Sequence, residues 1–219
     1  MMTDQKIDLK STDLFDIQRT MRAMRRLKPD PIPNALITQI LEAATCAPNG
    51  GNSQKWRFLV IKDPEIKKAV QVYYKRAYDE VQKPRHDAQA PKEPGPALDQ
   101  HHRNEAAIEY LTENFHKAPV WIIACAEEVN SPSASSGASI YPAVQNMLLA
   151  ARALGLGATL TARHITFRIE VEKLLGLPDN VSSFAILPIG YPVGRFGPTS
   201  RTPLGKVAFL DSFDNPWPY

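Results

Sequence analysis

Cysteine is scarce in this chain. Cys46 and Cys125 are the two in 219 residues, and they have neither metal-ligand spacing nor the context of a small stapled scaffold. A disulfide framework is thereby excluded, and two reduced thiols in a cytoplasmic protein are expected. Long apolar runs are missing too. The longest, "APVWIIACA" and "AILPIG", fall far short of a membrane span. The opening "MMTDQKIDLKSTDLFDIQ" carries acidic residues and no apolar core, so neither a secretory signal nor a transit peptide is expected. Charge of one sign is not in excess: 26 Lys and Arg face 23 Asp and Glu, net +3. No basic run is interleaved with aromatics, so no nucleic-acid partner is expected. H-E-x-x-H, Walker and G-x-S-x-G patterns are absent, which removes zinc hydrolases, P-loop enzymes and the usual serine hydrolases. No G-x-G-x-x-G follows a strand, so a dinucleotide-type doubly wound sheet is not supported. No metal site is expected, and no internal repeat is visible.

What remains is the pattern of one soluble domain over residues 1–219, 43% hydrophobic and 22% charged. A first helix is expected over 14–24, stopped by "KPDPIP". Asn34 is expected to help start a second, "ALITQILEAATCA", with Leu36, Ile37, Ile40, Leu41 and Ala44 at helical spacing, ending at Pro48. "WRFLVI" reads as a buried strand, and the next segment as an amphipathic helix capped by Asp63. Residues 83–103 hold four Pro, one Gly and almost no large apolar side chain. An exposed insertion is expected there, either disordered or a lid over a pocket.

"APVWIIACA" is the next strand and "SPSASSGAS" a flexible connection. In "IYPAVQNMLLAARALGLGATLTA", Ile140, Val144, Met147, Leu148, Ala151 and Leu154 cover most of a helix circumference, so that helix should be buried on most sides. Gly155 and Gly157 end it and release the strand "ATLTA". A short helix in "RIEVEKLLGL" leads to a buried strand in "SSFAILPIGYPVG". The tail "RFGPTSRTPLGKVAFLDSFDNPWPY" is Pro-rich and aromatic, and a partner subunit is expected to supply the surface it lies on.

Two stretches carry candidate chemistry. "RAMRRLK" gathers Arg22, Arg25, Arg26 and Lys28 at a helix end; such clusters are often solvated charge, but guanidinium groups also bind phosphate bidentately. "APNGGNSQ" packs amide side chains and two glycines before a strand. That composition suits a loop lying over a planar polar ligand, with Gly where backbone must come close. The adjacent His101 and His102 read as solvated side chains.

Taken together, "RAMRRLKPDPIP", "LITQILEAATCAPNGGNSQKWRFLVI", "YPAVQNMLLAARALGLGATL" and "PIGYPVGRFGPTSRTPL" resemble, in order, the nitroreductase family of flavin-dependent oxidoreductases. The resemblance implies an α+β fold: a mostly antiparallel central sheet flanked by helices, in an entwined homodimer whose C-terminal extension wraps the partner. It implies FMN as cofactor, NADH or NADPH as reductant, and a nitroaromatic, quinone or related small aromatic acceptor, all by a ping-pong mechanism. Arg22 and Ala23 then stand near the FMN phosphate, with Arg201 as the late basic residue on it. Arg25 or Arg26 faces the N1 and C2-carbonyl edge. Pro48, Asn49, Gly50, Asn52 and Gln54 form the loop reaching FMN, often from the neighbouring subunit, and Leu160 and Thr161 the backbone near N5. Reduction puts negative charge near N1, which an Arg stabilises, and hydride chemistry at N5 requires no side-chain nucleophile.

The chain departs from the pattern at Ala23 and Asn49, where Ser is usual, at Lys55 for Pro, and at Thr199 for a phosphate-binding Lys. The dehalogenating branch of the family grips its substrate with a lid Glu followed four residues later by Tyr, a spacing this chain lacks. Other family chemistries, dehydrogenation and flavin cleavage, and a non-catalytic flavin-binding module stand as alternatives.

Overall fold

The computed structural model describes residues 13–127 and 133–218. The opening segment 1–12, Ser131 and Pro132 of the expected serine-rich connection, and the final Tyr219 lie outside these. Among the described residues seven α-helices, α1 Leu14–Thr20, α2 Asn34–Thr45, α3 Pro64–Ala77, α4 Lys83–Ala88, α5 Pro96–Asn114, α6 Ala134–Ala153 and α7 Arg168–Leu174, surround four strands. The strands, β1 Trp56–Ile61, β2 Val120–Glu127, β3 Gly157–Ala158 and β4 Val181–Gly190, form one sheet in the order β1-β2-β4-β3. All three pairings are antiparallel.

The central strand β2 explains why its sequence is apolar without alternation. Val120, Ile122, Ala124 and Ala126 join the core beneath α2 and α6, while Trp121, Ile123 and Cys125 join the one beneath α3 and α7. A strand covered on both faces has no polar side to show. The expected burial of α6 is also found: Ile140, Val144, Met147, Leu148 and Ala151 are buried, although Leu154 is only half-buried. Asn146 donates to the Ala43 carbonyl at 3.0 Å, tying α6 to α2.

Several boundaries differ from the sequence reading. Helix α1 stops at Thr20 rather than continuing to 24. The backbone of 22–28 pairs outward instead, Met24 N–H to the Ala158 carbonyl (3.0 Å) and Lys28 N–H to the Tyr191 carbonyl (2.8 Å), and Val193 N–H bonds Arg26. The arginine cluster is therefore on an extended segment, because bonds to the sheet edge replace the helical ones. Asn34 does not cap α2: Pro33 occupies that position, and the Asn34 amide oxygen accepts from Lys62. That helix ends at Thr45, short of Pro48.

Helix α6 begins at Ala134, with Ser133 and Ser136 forming a reciprocal capping box, so the described part of "SPSASSGAS" is helix start and not linker. Gly155, at φ +76°, closes α6 in the left-handed region, and "ATLTA" is strand only at its start, with a single further bridge from Thr161 to Ile186. Residues 83–103 fall in α4 and the first turns of α5, joined by a non-helical link at 89–95. Their prolines are compatible with helix because Pro84 and Pro96 sit in the first turn, where a missing N–H is harmless.

Candidate functional site

Glycine at the sheet edge lets the arginine segment approach. A Cβ on Gly157 would meet Leu27 and Met24 at 2.9 Å, and one on Gly190 would meet Leu27 at 3.0 Å. Pressed there, the segment turns Arg22, Ala23, Arg25 and Arg26 into one wall of a cleft of about 440 Å³, with Arg103 and Asn104 of α5 opposite and Arg195 at its end. Among the described residues no carboxylate lines this cleft. Among the described residues none of Arg22, Arg25 and Arg26 has an acid within ion-pair distance.

The two central arginines differ. Arg26 is exposed and sits over the Tyr110 ring of α5, 4.7 Å from its centroid. Arg25 is half-buried; burial lowers its pKa, with Tyr74 opposing and Arg22 assisting. Tyr74 shares a 3.0 Å hydrogen bond with the Thr161 hydroxyl, and burial pushes its phenol up.

Behind Tyr74 lies Arg163, buried, its guanidinium 4.3 Å from the Tyr74 centroid and 4.9 Å from that of Tyr78. It donates to Gln82 at 2.6 Å and Thr112 at 2.5 Å, and burial lowers its pKa despite the two phenols. Tyr74, Phe115 and Trp121 stack in a column, with centroids 4.0 and 4.1 Å apart. Thr161, and Arg25 at longer range, thus rest on the chain's own core.

The other predicted residues stand apart. Pro48, Gly50, Asn52 and Gln54 are exposed and Asn49 partly so. Gly51, Asn52 and Gln54 have φ of +59°, +51° and +51°, a region that non-glycine residues enter at some cost. The loop is pinned by Gly50 N–H to Ser139 Oγ (3.1 Å) and Gln54 N–H to Asn49 Oδ1 (2.9 Å). Leu160 is 39% exposed. Arg201 is exposed, its guanidinium bonded, among the described residues, to the neighbouring Ser200 carbonyl, two residues past Thr199, whose N–H binds the Arg19 carbonyl. The structure gathers Arg22, Ala23, Arg25 and Arg26 in one cleft and leaves the 48–54 loop and Arg201 outside its walls.

Sequence reasoning missed Tyr74, Arg163, Arg103 and Arg195.

Residues 19–191 match the Nitroreductase family model. The chain belongs to that family. It is 29% identical over 197 residues to an NADH dehydrogenase of Thermus thermophilus, covering 85% of this chain and 90% of the relative. It is 28% identical over 183 residues to an iodotyrosine deiodinase of Thermotoga neapolitana, covering 82% and 88%. The fold is that of the FMN and NADPH-dependent nitroreductase NfnB from Sphigopyxis sp. strain HMH, with a TM-score of 0.69 at 19% identity over 92% of this chain and 100% of that one. No described helix is long and apolar enough to cross a membrane, and no described group of His, Cys, Asp and Glu is arranged to hold a metal.

Proposed function

We propose that the protein is an FMN-dependent oxidoreductase that takes hydride from NADH or NADPH and passes it to a small aromatic acceptor, a nitroaromatic or quinone, in alternating half-reactions. The observation that carries this reading is the acid-free arginine cleft. Five arginines, Arg22, Arg25, Arg26, Arg103 and Arg195, line it with no carboxylate among the described residues, which suits a phosphate and a ring that gains negative charge. The fold neighbour NfnB, an FMN and NADPH-dependent nitroreductase, agrees with it.

Bound FMN supplies hydride chemistry at N5. Arg22 and Arg201 hold the phosphate. Arg25, half-buried and within electrostatic range of Tyr74, provides positive charge at the pyrimidine edge, and Arg26 is turned aside onto Tyr110. Ala23 leaves the Ser position to the backbone N–H. Leu160 and Thr161 supply the segment facing N5, with Tyr74 orienting the threonine hydroxyl.

The chain is read as a single FMN-binding domain acting as a homodimer. The exposed loop of Pro48, Asn49, Gly50, Asn52 and Gln54 then covers the partner's flavin, and the tail, which buries nothing in its own chain beyond Pro192, wraps the partner. Phe213 is 85% exposed and Trp217 45%, a poor arrangement for aromatics unless a second surface covers them. Two free thiols, Cys46 exposed and Cys125 buried, suit a reducing cytoplasm.

The test is release of the bound cofactor for chromatography, then stopped-flow reduction by NADH and NADPH. FMN with rapid bleaching is expected. FAD, no flavin after reconstitution, or flavin that neither nucleotide reduces overturns the reading, the last in favour of a binding module.

A further inference from the structure

A second cavity lies on the far side of Arg25. It measures about 610 Å³ and is enclosed by α3, the end of α5 with the turn after it, and the proline-rich segment 29–32. Its charged lining is basic, Arg25, Lys62, Lys67 and Lys117 with His116, beside the neutral amide of Asn114, again with no carboxylate among the described residues. Its apolar walls include Leu27, Ile32, Leu111 and Val120, with the ring of Tyr110 beside them.

Two of the basic groups are poorly served by the protein alone. Lys67 is 5% exposed. Its ammonium donates to the Ala118 carbonyl at 2.7 Å and the Pro119 carbonyl at 3.3 Å, which leaves one of three N–H groups unused. No described carboxylate is within ion-pair distance of it, although Asp63 acts on it at longer range. Nδ1 of His116 is buried and has no partner. Burial, then Lys117, Lys68 and Lys67, lower the His116 pKa, so the ring is neutral and carries its proton on one nitrogen. A buried cation without an anion and a buried ring nitrogen without a partner are costly, and both costs are removed by one ligand carrying a negative charge.

We infer that this cavity is a binding site for a small organic carboxylate with a flat apolar body. One carboxylate oxygen accepts from the remaining Lys67 N–H, and the other accepts a hydrogen bond from the protonated ring nitrogen of His116. The hydrocarbon part lies among Leu27, Ile32, Leu111 and Tyr110. The volume is within the range of small-molecule pockets. The cavity is distinct from the arginine cleft, sharing only the Arg25 wall with it, and the inference holds whether or not that cleft takes FMN.

The experiment is calorimetric titration of the purified full-length protein with 2-naphthoate and with the neutral 2-naphthalenemethanol, each with and without added FMN. Naphthoate should bind at one site per chain at least about tenfold tighter than the alcohol, the factor of a charge-assisted hydrogen bond. FMN should not displace it. Lys67→Met should remove the preference for the acid, and His116→Leu should weaken naphthoate by about tenfold. Lys68→Met, the same charge change on the exposed side of α3, should leave binding as it was. If Lys67→Met does not fold, as a thermal melt will show, His116→Leu and Lys68→Met carry the test. Equal affinity for acid and alcohol, equal losses in His116→Leu and Lys68→Met, or one-for-one displacement by FMN each overturn the inference.

Discussion

Two parts of the predicted site are built in opposite ways. Segment 22–28 is bonded to the sheet edge by its backbone and pressed onto two glycines. Arg25 on it lies within electrostatic range of Tyr74, which belongs to the aromatic column. The 48–54 loop is exposed, carries three residues at positive φ, and is fastened by one bond within itself, Gln54 N–H to Asn49, and one to α6, Gly50 N–H to Ser139. The first part has its geometry fixed by its own chain. The second holds its shape with little support from its own chain, which is what the proposed role toward a neighbouring subunit requires.

The largest effect should come from the column under the first part. Trp121 is fully buried, stacked on Phe115, and donates from its indole N–H to the Phe115 carbonyl at 3.1 Å. Trp121→Ala should lower stability by about 3–5 kcal/mol in urea unfolding. It should also loosen Tyr74, and hence the Thr161 hydroxyl. A loss under about 1 kcal/mol would mean the column is not the support described.

A second test exploits a buried hub on the same side of the sheet. The Ser183 hydroxyl donates to Glu172 at 2.8 Å, so it accepts from His164 Nε2 at 3.0 Å. His164 is then neutral, with Nδ1 buried and unpartnered. Burial, with help from Arg168, pushes its pKa down to about 3. Because the folded value is below the ordinary one of about 6.5, the unfolded chain binds more protons between them. The contribution of His164 is therefore complete above about pH 6.5 and is lost as pH falls towards 3. Between pH 6.5 and 4.5 the parent should lose about 2–3 kcal/mol more than His164→Gln. Equal losses in urea melts at the two pH values would show that His164 does not titrate this way.

The third test divides the arginines. Arg22→Ala and Arg201→Ala should each weaken FMN binding by ~1.5–3 kcal/mol, the worth of hydrogen bonds to a charged group. Arg25→Ala should act mainly on the midpoint potential, lowering it, and Arg26→Ala on neither. Titration of apoprotein and potentiometry on the four variants check this. Parent-like FMN affinity in Arg22→Ala and Arg201→Ala would return both to solvated charge.

Much of the fold was legible because its signals are local. Strands β1, β2 and β4 are apolar runs between polar breaks, and Asp63 caps α3 as its position suggested, accepting from Glu65 and Ile66. What escaped was decided at a distance. The N–H of Met24 has no local reason to prefer Ala158 over a helical partner, and Ser133 and Ser136 read equally well as linker until they are seen to cap each other. Arg22, Arg25 and Arg26 were visible as a cluster, but which of the last two turns inward depends on Tyr74 and Tyr110, neither of which stands out in its helix. Arg163 was hidden for the same reason: its partners Gln82 and Thr112 come from two other elements.

The smallest expected effects separate the two parts most directly, because each rests on one glycine. At Gly157 the backbone is ordinary, and an added methyl meets Leu27 and Met24 at 2.9 Å and Pro192 at 3.1 Å. Gly157→Ala should cost about 1–3 kcal/mol through overpacking, and should displace the 22–28 segment, so FMN affinity falls along with stability. At Gly51 nothing lies within 4 Å of a Cβ, but φ is +59°. Gly51→Ala should cost only about 1 kcal/mol, from the left-handed backbone alone, and Gly51→Asn less, since Asn tolerates that region. If the loop serves the partner's site, its effect on flavin affinity should appear only in the dimer, and in mixed dimers only at the site facing the altered loop. Gly51→Ala that lowers stability as much as Gly157→Ala, or Gly157→Ala that leaves flavin affinity untouched, would erase the distinction between a part fixed by its own chain and a part awaiting another.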